Sequence, residues 1–217
     1  MIALTEDKRM LGYGVMTPYS NIFCFATTRR GGFSKGDYAS FNCTPYTGDD
    51  AESVRRNQEL LCNSMPQRPK ELVIPFQTHG TKVEVIDEKY LNATSDERTA
   101  MLQGVDALIT KEPGCCICIS TADCIPILLY DRKSQVVAAV HAGWRGTVNY
   151  IAGHTLDRMR ALYGTDGKDV IACIGPGISL PSFEVGEEVY EAFRMNGFAM
   201  DYISEWKPET HKHHIDL

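Results

Sequence analysis

The chain has 217 residues, 43% of them hydrophobic, with a formal net charge of −6, which is enough apolar content for one large domain or two small ones. No run of Lys or Arg exceeds two residues, which argues against nucleic acid or an anionic membrane as the main partner, and no apolar run approaches the ~20 residues needed to cross a bilayer. The opening MIALTEDKRM carries charges where a secretory leader needs an apolar stretch, so the expected compartment is the cytoplasm, where the eight cysteines would stay reduced.

In chain order, residues 22–28 (IFCFATT) read as a strand, followed by the Gly-rich loop RRGGFSKGDYASFNC. Residues 50–65 read as a helix capped by Asp49 or Asp50, with Val54, Leu60, Leu61 and Met65 as its apolar face. Strands are expected at 71–77, 82–87, 105–110 and 115–120, then a pair at 125–130 and 136–141. A second helix is expected from Thr147 to Tyr163, closed by Gly164. A strand at 169–174 and a third helix from Glu187 to Met195, closed by Gly197, complete the series. Strands outnumber helices in a mixed order, with no internal repeat or flexible linker. The expected fold is therefore a single α+β domain of mixed β-sheet layers with flanking helices.

The stretch TADCIPILLYDRKSQVVAAVHAGWRGT (121–147) places Cys124 at the start of one apolar run and His141 at the end of the next. A hairpin with a two- or four-residue loop can pair these positions directly, with Cβ atoms ~5 Å apart, a separation suited to two ligands of one metal ion. A three-residue loop would send them to opposite faces. Both residue types are also common in cores, so the pair alone leaves metal and thiol chemistry open. His79, in FQTHGTK, ends another apolar strand beside a glycine. Two His and one Cys form a compact ligand set for zinc with a fourth position open to water or substrate. His154 falls on a helix surface, His211, His213 and His214 lie in a tail expected to be solvated, and Cys115, Cys116 and Cys118 read as core.

After His141 the chain runs AGWRGT into a helix, where Gly143, Gly146 and Arg145 could receive an anion. Arg29 and Arg30 in TTRRGG, and the GPGIS turn at 175–179, offer similar loops. Next to a metal site they point to phosphate as co-substrate.

The motifs TTR-x-GG-x-S (27–34), SFN (40–42), Q-x-HG (77–80), DALIT (106–110), TADC-x-P (121–126), HAGWRG (141–146), IGPGI (174–178) and FEVG (183–186) occur together in this order. By these motifs the chain resembles the YfiH-type family, also called the laccase-domain or purine nucleoside phosphorylase family, from about Phe23 onward. The resemblance implies a mixed α/β sandwich-like fold and a zinc site of His79, Cys124 and His141. It also implies phosphorolysis of adenosine, inosine and methylthioadenosine, and deamination of adenosine. The family pattern continues into a C-terminal segment with T…FFSYRR, so the expectation is one family domain over 1–217 without that segment. On this reading Arg29 and Arg145 orient phosphate and Asn42 hydrogen-bonds the nucleoside, while their structural alternatives are capping, turn formation and surface pairing.

An older family label, multicopper polyphenol oxidase, makes copper the alternative metal, since His, His and Cys also describe a blue-copper ligand set. A multicopper oxidase needs a trinuclear cluster as well, and six histidines, three of them in the tail, are too few for that in one chain. A metal- or nucleoside-binding module without turnover, and a thiol hydrolase using Cys124 with His141, complete the alternatives.

Overall fold

The computed structural model describes residues 1–217, with thirteen strands and seven α-helices. The first strands are β1 (Ile2–Ala3), β2 (Met10–Gly12) and β3 (Phe25–Thr27), followed by α1 (Ala51–Asn63) and β4 (Glu71–Val73). Next come β5 (Lys82–Ile86), α2 (Glu88–Asn92), α3 (Ser95–Met101), β6 (Val105–Thr110) and β7 (Cys115–Ile117). The centre of the chain holds β8 (Ile125–Asp131), β9 (Val136–Ala142), α4 (Trp144–Val148), α5 (Ile151–Tyr163) and β10 (Val170–Ile174). The last elements are β11 (Glu184–Val185), α6 (Glu187–Met195), α7 (Met200–Ile203), β12 (Ser204–Lys207) and β13 (Lys212–Ile215). This is the α+β mixture of sheets and flanking helices expected from the sequence. Its contacts group into two compact units, Met1–Ile74 with Glu112–Ser120, and Pro75–Lys111 with Thr121–Leu217.

The first unit contains the antiparallel sheet β1-β2-β3 and the parallel pair β4-β7. Helix α1 begins where Asp50 accepts a hydrogen bond from the Ser53 amide at 2.9 Å, the N-cap that the sequence offered. Val54 and Leu61 bury its apolar face, and fully buried Asn57 organises the Gly-rich loop. The Asn57 side chain accepts from the Phe33 amide and donates to Ser34 Oγ and to the Ser40 and Asn42 carbonyls. Gly32 in that loop has no alternative, because a Cβ there would sit 2.0 Å from the Ser40 carbonyl oxygen.

The second unit is built on a five-stranded sheet ordered β10-β8-β9-β6-β5, with a three-stranded sheet β11-β13-β12 beside its own small core. Strand β6 is buried along its whole length, which explains why VDALIT reads as a continuous rather than alternating apolar run. Helix α5 covers this sheet with Ile151, Thr155 and Met159, spaced one turn apart and buried. Their packing against Ala107, Ile109, Ala138, Val140 and Ala142 forms the larger core. Gly164 ends α5 in the left-handed region at φ 67°, the conformation in which glycine lacks the Cβ penalty.

Several boundaries differ from expectation. The strand expected at 22–28 is confined to Phe25–Thr27, and that at 115–120 to Cys115–Ile117. The strand expected to reach residue 77 stops at Val73, two residues before Pro75, which has no amide hydrogen to donate. The helix expected over 147–163 is two helices, because Tyr150 adopts φ 57° between α4 and α5. Its ring stacks on Phe198 with centroids 5.4 Å apart, and its hydroxyl donates to the Asn196 carbonyl at 2.6 Å. Those contacts hold a backbone state that a bulky residue otherwise avoids. The histidine tail is only partly solvated: His211 is exposed as expected, whereas β13 carries His213 and His214 into a sheet. His213 stacks 3.7 Å from the Tyr190 ring and His214 is buried with its Nδ1 3.1 Å from the Leu180 carbonyl oxygen. Cys115, Cys116 and Cys118 are half-buried rather than core, and none of the eight cysteines is in a disulfide.

Candidate metal centre

The β8–β9 hairpin decides the geometry between Cys124 and His141. Asp131 pairs with Val136, leaving a four-residue loop, and Pro126 rather than Cys124 pairs with His141. The Asp131 carboxylate fixes this loop by accepting the Lys133 and Ser134 amides at 2.9 and 3.0 Å, and Gln135 closes it at φ 55°. The register is therefore slipped by two residues from direct pairing. Cys124 itself lies in the bend just before β8, two residues ahead of Pro126, so the even slip leaves it diagonal to His141 rather than opposite it. His79 joins them, and one ligand atom from each of His79, Cys124 and His141 lies within 4.8 Å of the others.

Asp106 builds the site from below. It is fully buried in β6, and its Oδ1 accepts from His141 Nδ1 at 2.8 Å and from the His79 amide at 2.9 Å. Its Oδ2 accepts the Thr78 amide at 3.2 Å and the Gly80 amide at 2.7 Å. Three successive backbone N–H groups thus converge on one carboxylate, a nest made possible by His79 at φ 61°. One residue thereby orients both histidines. With Nδ1–H of His141 donated to Asp106, Nε2 is the nitrogen left for a metal, the tautomer that metal-ligating histidines adopt beside a carboxylate.

The sequence reading missed Asp106 as a site residue. The signal was present: an acidic residue inside the unbroken apolar run VDALIT must be paired if buried.

The electrostatics follow from these contacts. Burial works against charge on His141, but the Asp106 and Cys124 side chains outweigh it and hold the imidazole up at about 9. Burial and then the neighbouring His141 push His79 below its usual value. Burial alone would raise the Asp106 carboxyl, yet the His141 hydrogen bond and the Gly80 and Thr78 amides keep it below the usual range.

Gly143 closes one side of the cluster. A Cβ at that position would lie 2.9 Å from His79 Cδ2 and 3.0 Å from Cys124 Sγ. Its φ of −73° is ordinary, so space rather than conformation requires glycine here. The donor set, the fixed tautomer and this cradle fit a soft-to-borderline cation such as zinc or copper.

Arg145 is exposed in the short helix α4, its guanidinium carbon 4.3 Å from the ring centre of Trp144, and its charge is felt by His79. Arg29 and Asn42 belong to the other unit. Arg29 is exposed and donates from Nε to the Ala39 carbonyl at 3.0 Å. Asn42 donates to Thr47 Oγ1 and Asp49 Oδ2 and accepts the Thr44 amide, so both its amide hydrogens are engaged within its own loop. No helix is long and apolar enough to cross a membrane.

Fold and site together define an α+β protein whose mixed sheet presents one carboxylate-oriented His/Cys/His cluster. The family described as multi-copper polyphenol oxidoreductase laccase matches residues 23–217, and the chain belongs to that family. It is 65% identical to a purine nucleoside phosphorylase of Bacteroides thetaiotaomicron over 217 residues, all of this chain and 80% of that protein. It is 42% identical over 193 residues to adenosine deaminase RL5 from an unknown prokaryotic organism, covering 89% of this chain and 73% of that one. The crystal structure of YlmD from Geobacillus stearothermophilus superposes with a TM-score of 0.86 at 27% identity, covering 98% of this chain and 78% of that chain.

Proposed function

We propose that the protein is a zinc-dependent purine nucleoside enzyme that phosphorolyses adenosine, inosine or methylthioadenosine and deaminates adenosine, in the cytoplasm. The observation that carries this reading is the set of three ligand atoms within 4.8 Å, with His141 oriented by buried Asp106. Relatives named for nucleoside phosphorolysis and adenosine deamination across most of the chain supply the substrate class.

His79, Cys124 and His141 would hold the ion. A bound zinc supplies a Lewis acid and a water of lowered pKa at its open fourth position. Asp106 takes up Nδ1 of His141, which leaves Nε2 as the nitrogen facing the site, and holds the His79 loop in place. Arg145, exposed beside the cluster, offers a guanidinium for bidentate contact with phosphate. In the other unit, Arg29 is proposed as a phosphate-binding residue from its TTR-x-GG motif, and Asn42 offers only Oδ1 to a nucleoside, since its amide hydrogens are already committed. One domain of the family over 1–217 is the proposed functional unit.

The family description favours copper as the competing metal. The site argues for a single ion, because His79, Cys124 and His141 are the one group of three or more His, Cys or acidic ligands in the chain. A single ion does not meet the requirement of multicopper oxidation.

The test uses protein purified without a metal-affinity tag, assayed with inosine and adenosine with and without phosphate. Phosphate-dependent hypoxanthine release that is lost on chelation, restored by zinc and abolished in His79→Ala is expected. Full activity and full metal content in His79→Ala would overturn the assignment. An intense blue band and polyphenol oxidation in copper-loaded protein, without nucleoside turnover, would favour the oxidase.

A further inference from the structure

The sulfurs of Cys116 and Cys118 lie 3.6 Å apart and share a hydrogen. They are two residues apart on one extended segment. Cys115–Ile117 forms β7, paired in parallel with Glu71–Val73, and the Cys118 amide prolongs the ladder by donating to the Val73 carbonyl at 2.9 Å. Side chains two apart on a strand share a face, while immediate neighbours oppose each other. Cys116 and Cys118 therefore face the same way, and Cys115, though adjacent to Cys116, is turned to the other side.

We propose that Cys116 and Cys118 form a reversible dithiol that closes to an intrachain disulfide by exchange with a small-molecule disulfide. Two residues of strand separate their Cα atoms by about 6.6 Å, inside the ~4.4–6.8 Å range that a disulfide bridges. Only side-chain rotation and a small backbone adjustment are needed to bring the sulfurs into bonding distance. Both residues are half-buried, so a small oxidant has access to the pair, whereas the nearby Cys62 is buried in α1. Either sulfur can donate the hydrogen between them, so either thiol can make the first attack, and its partner resolves the mixed disulfide.

The step balances with oxidised glutathione as oxidant. One thiolate of the pair attacks one glutathione sulfur, forming a mixed disulfide and releasing one glutathione thiolate. The other cysteine, giving up its proton, then attacks the protein sulfur of that mixed disulfide, closing the intrachain bond and releasing the second glutathione. The protein loses two electrons and two protons, and one oxidised glutathione becomes two reduced molecules. This couple is separate from the metal cluster, whose thiol is Cys124.

The experiment incubates the full chain in glutathione buffers of rising oxidised fraction, quenches with acid, alkylates the remaining thiols, and maps each cysteine by tandem mass spectrometry. Cys116 and Cys118 are expected to lose alkylation together, with the peptide lighter by two hydrogens, and dithiothreitol should restore both. In Cys116→Ser and in Cys118→Ser the remaining cysteine of the pair should form no intrachain bridge and should stop at the mixed disulfide with glutathione. A thermal melt of each variant confirms that the fold persists. The proposal is overturned if Cys116 and Cys118 remain alkylatable throughout, if they titrate independently, or if the bridge that forms contains Cys115, Cys62 or a second chain.

Discussion

Replacing Asp106 by Asn tests the assignment of this residue as the organiser of the metal cluster. Each carboxylate oxygen accepts two hydrogen bonds, Oδ1 from the His79 amide and His141 Nδ1, and Oδ2 from the Thr78 and Gly80 amides. Whichever way the new amide turns, its NH₂ group replaces an acceptor and faces two donors that burial leaves without water. Hydrogen bonds to a charged group contribute roughly 1.5–3 kcal/mol each, so losing two should destabilise the protein by about 3–6 kcal/mol. His141 also loses the partner that fixes its tautomer, which should weaken metal binding by roughly 10–100-fold. Urea unfolding of metal-free protein gives the first quantity, and competition with a chromophoric chelator gives the second. Asp106→Glu, which keeps the charge but displaces it, should recover part of the stability and less of the affinity. Wild-type stability together with wild-type affinity in Asp106→Asn would refute the reasoning.

Gly143→Ala should fold, because its φ of −73° suits alanine, but the Cβ would crowd His79 and Cys124. Bound metal by mass spectrometry should fall well below one ion per chain, and full occupancy would show that the cradle is looser than it looks. In metal-free protein the pH dependence has a defined sign. His141, held up at about 9 against an unfolded value near 6.5, contributes stability that is complete below pH ~6.5 and lost as pH rises through about 9. Asp106, held below the usual carboxylate range, contributes above pH ~4 and loses its contribution on acidification through its lower folded value. The urea midpoint of metal-free protein should therefore decline between pH 6.5 and 9, and Asp106→Asn should flatten that decline. A wild-type midpoint constant across this window would count against the ion pair. Tyr150→Phe removes the hydrogen bond to the Asn196 carbonyl and should cost about 0.5–1.5 kcal/mol by chemical denaturation. No change would mean that stacking on Phe198 alone holds the break between α4 and α5.

The residue pattern by itself determined the strands expected at 82–87, 105–110, 125–130 and 136–141 and the helices expected at 50–65 and 187–195, each within two residues of its observed ends, and the α+β class. Periodicity and caps are local properties, and in these segments local preference and tertiary packing agree. It also nominated His79, Cys124 and His141 as one candidate ligand set while leaving the hairpin parity open, and the fold brings one ligand atom of each within 4.8 Å of the others. What local pattern could not decide was the register. Even and odd loops fit the same apolar runs, and an even loop can be centred one residue earlier or later, a choice set by Asp131 binding the amides of its own turn. Nor could it decide the break at Tyr150, where stacking on Phe198 and a bond to Asn196 outweigh helix propensity across 46 residues of sequence.

Asp106 belongs to the same class. Its role depends on four donors from two separate stretches of chain, residues 78–80 and His141, and only the folded sheet brings them to one carboxylate. The candidate ligands of the site were legible because each carries its chemistry in its side chain. The residue that orients them was not, because orientation is a relation between segments, and that relation exists only once the chain is packed.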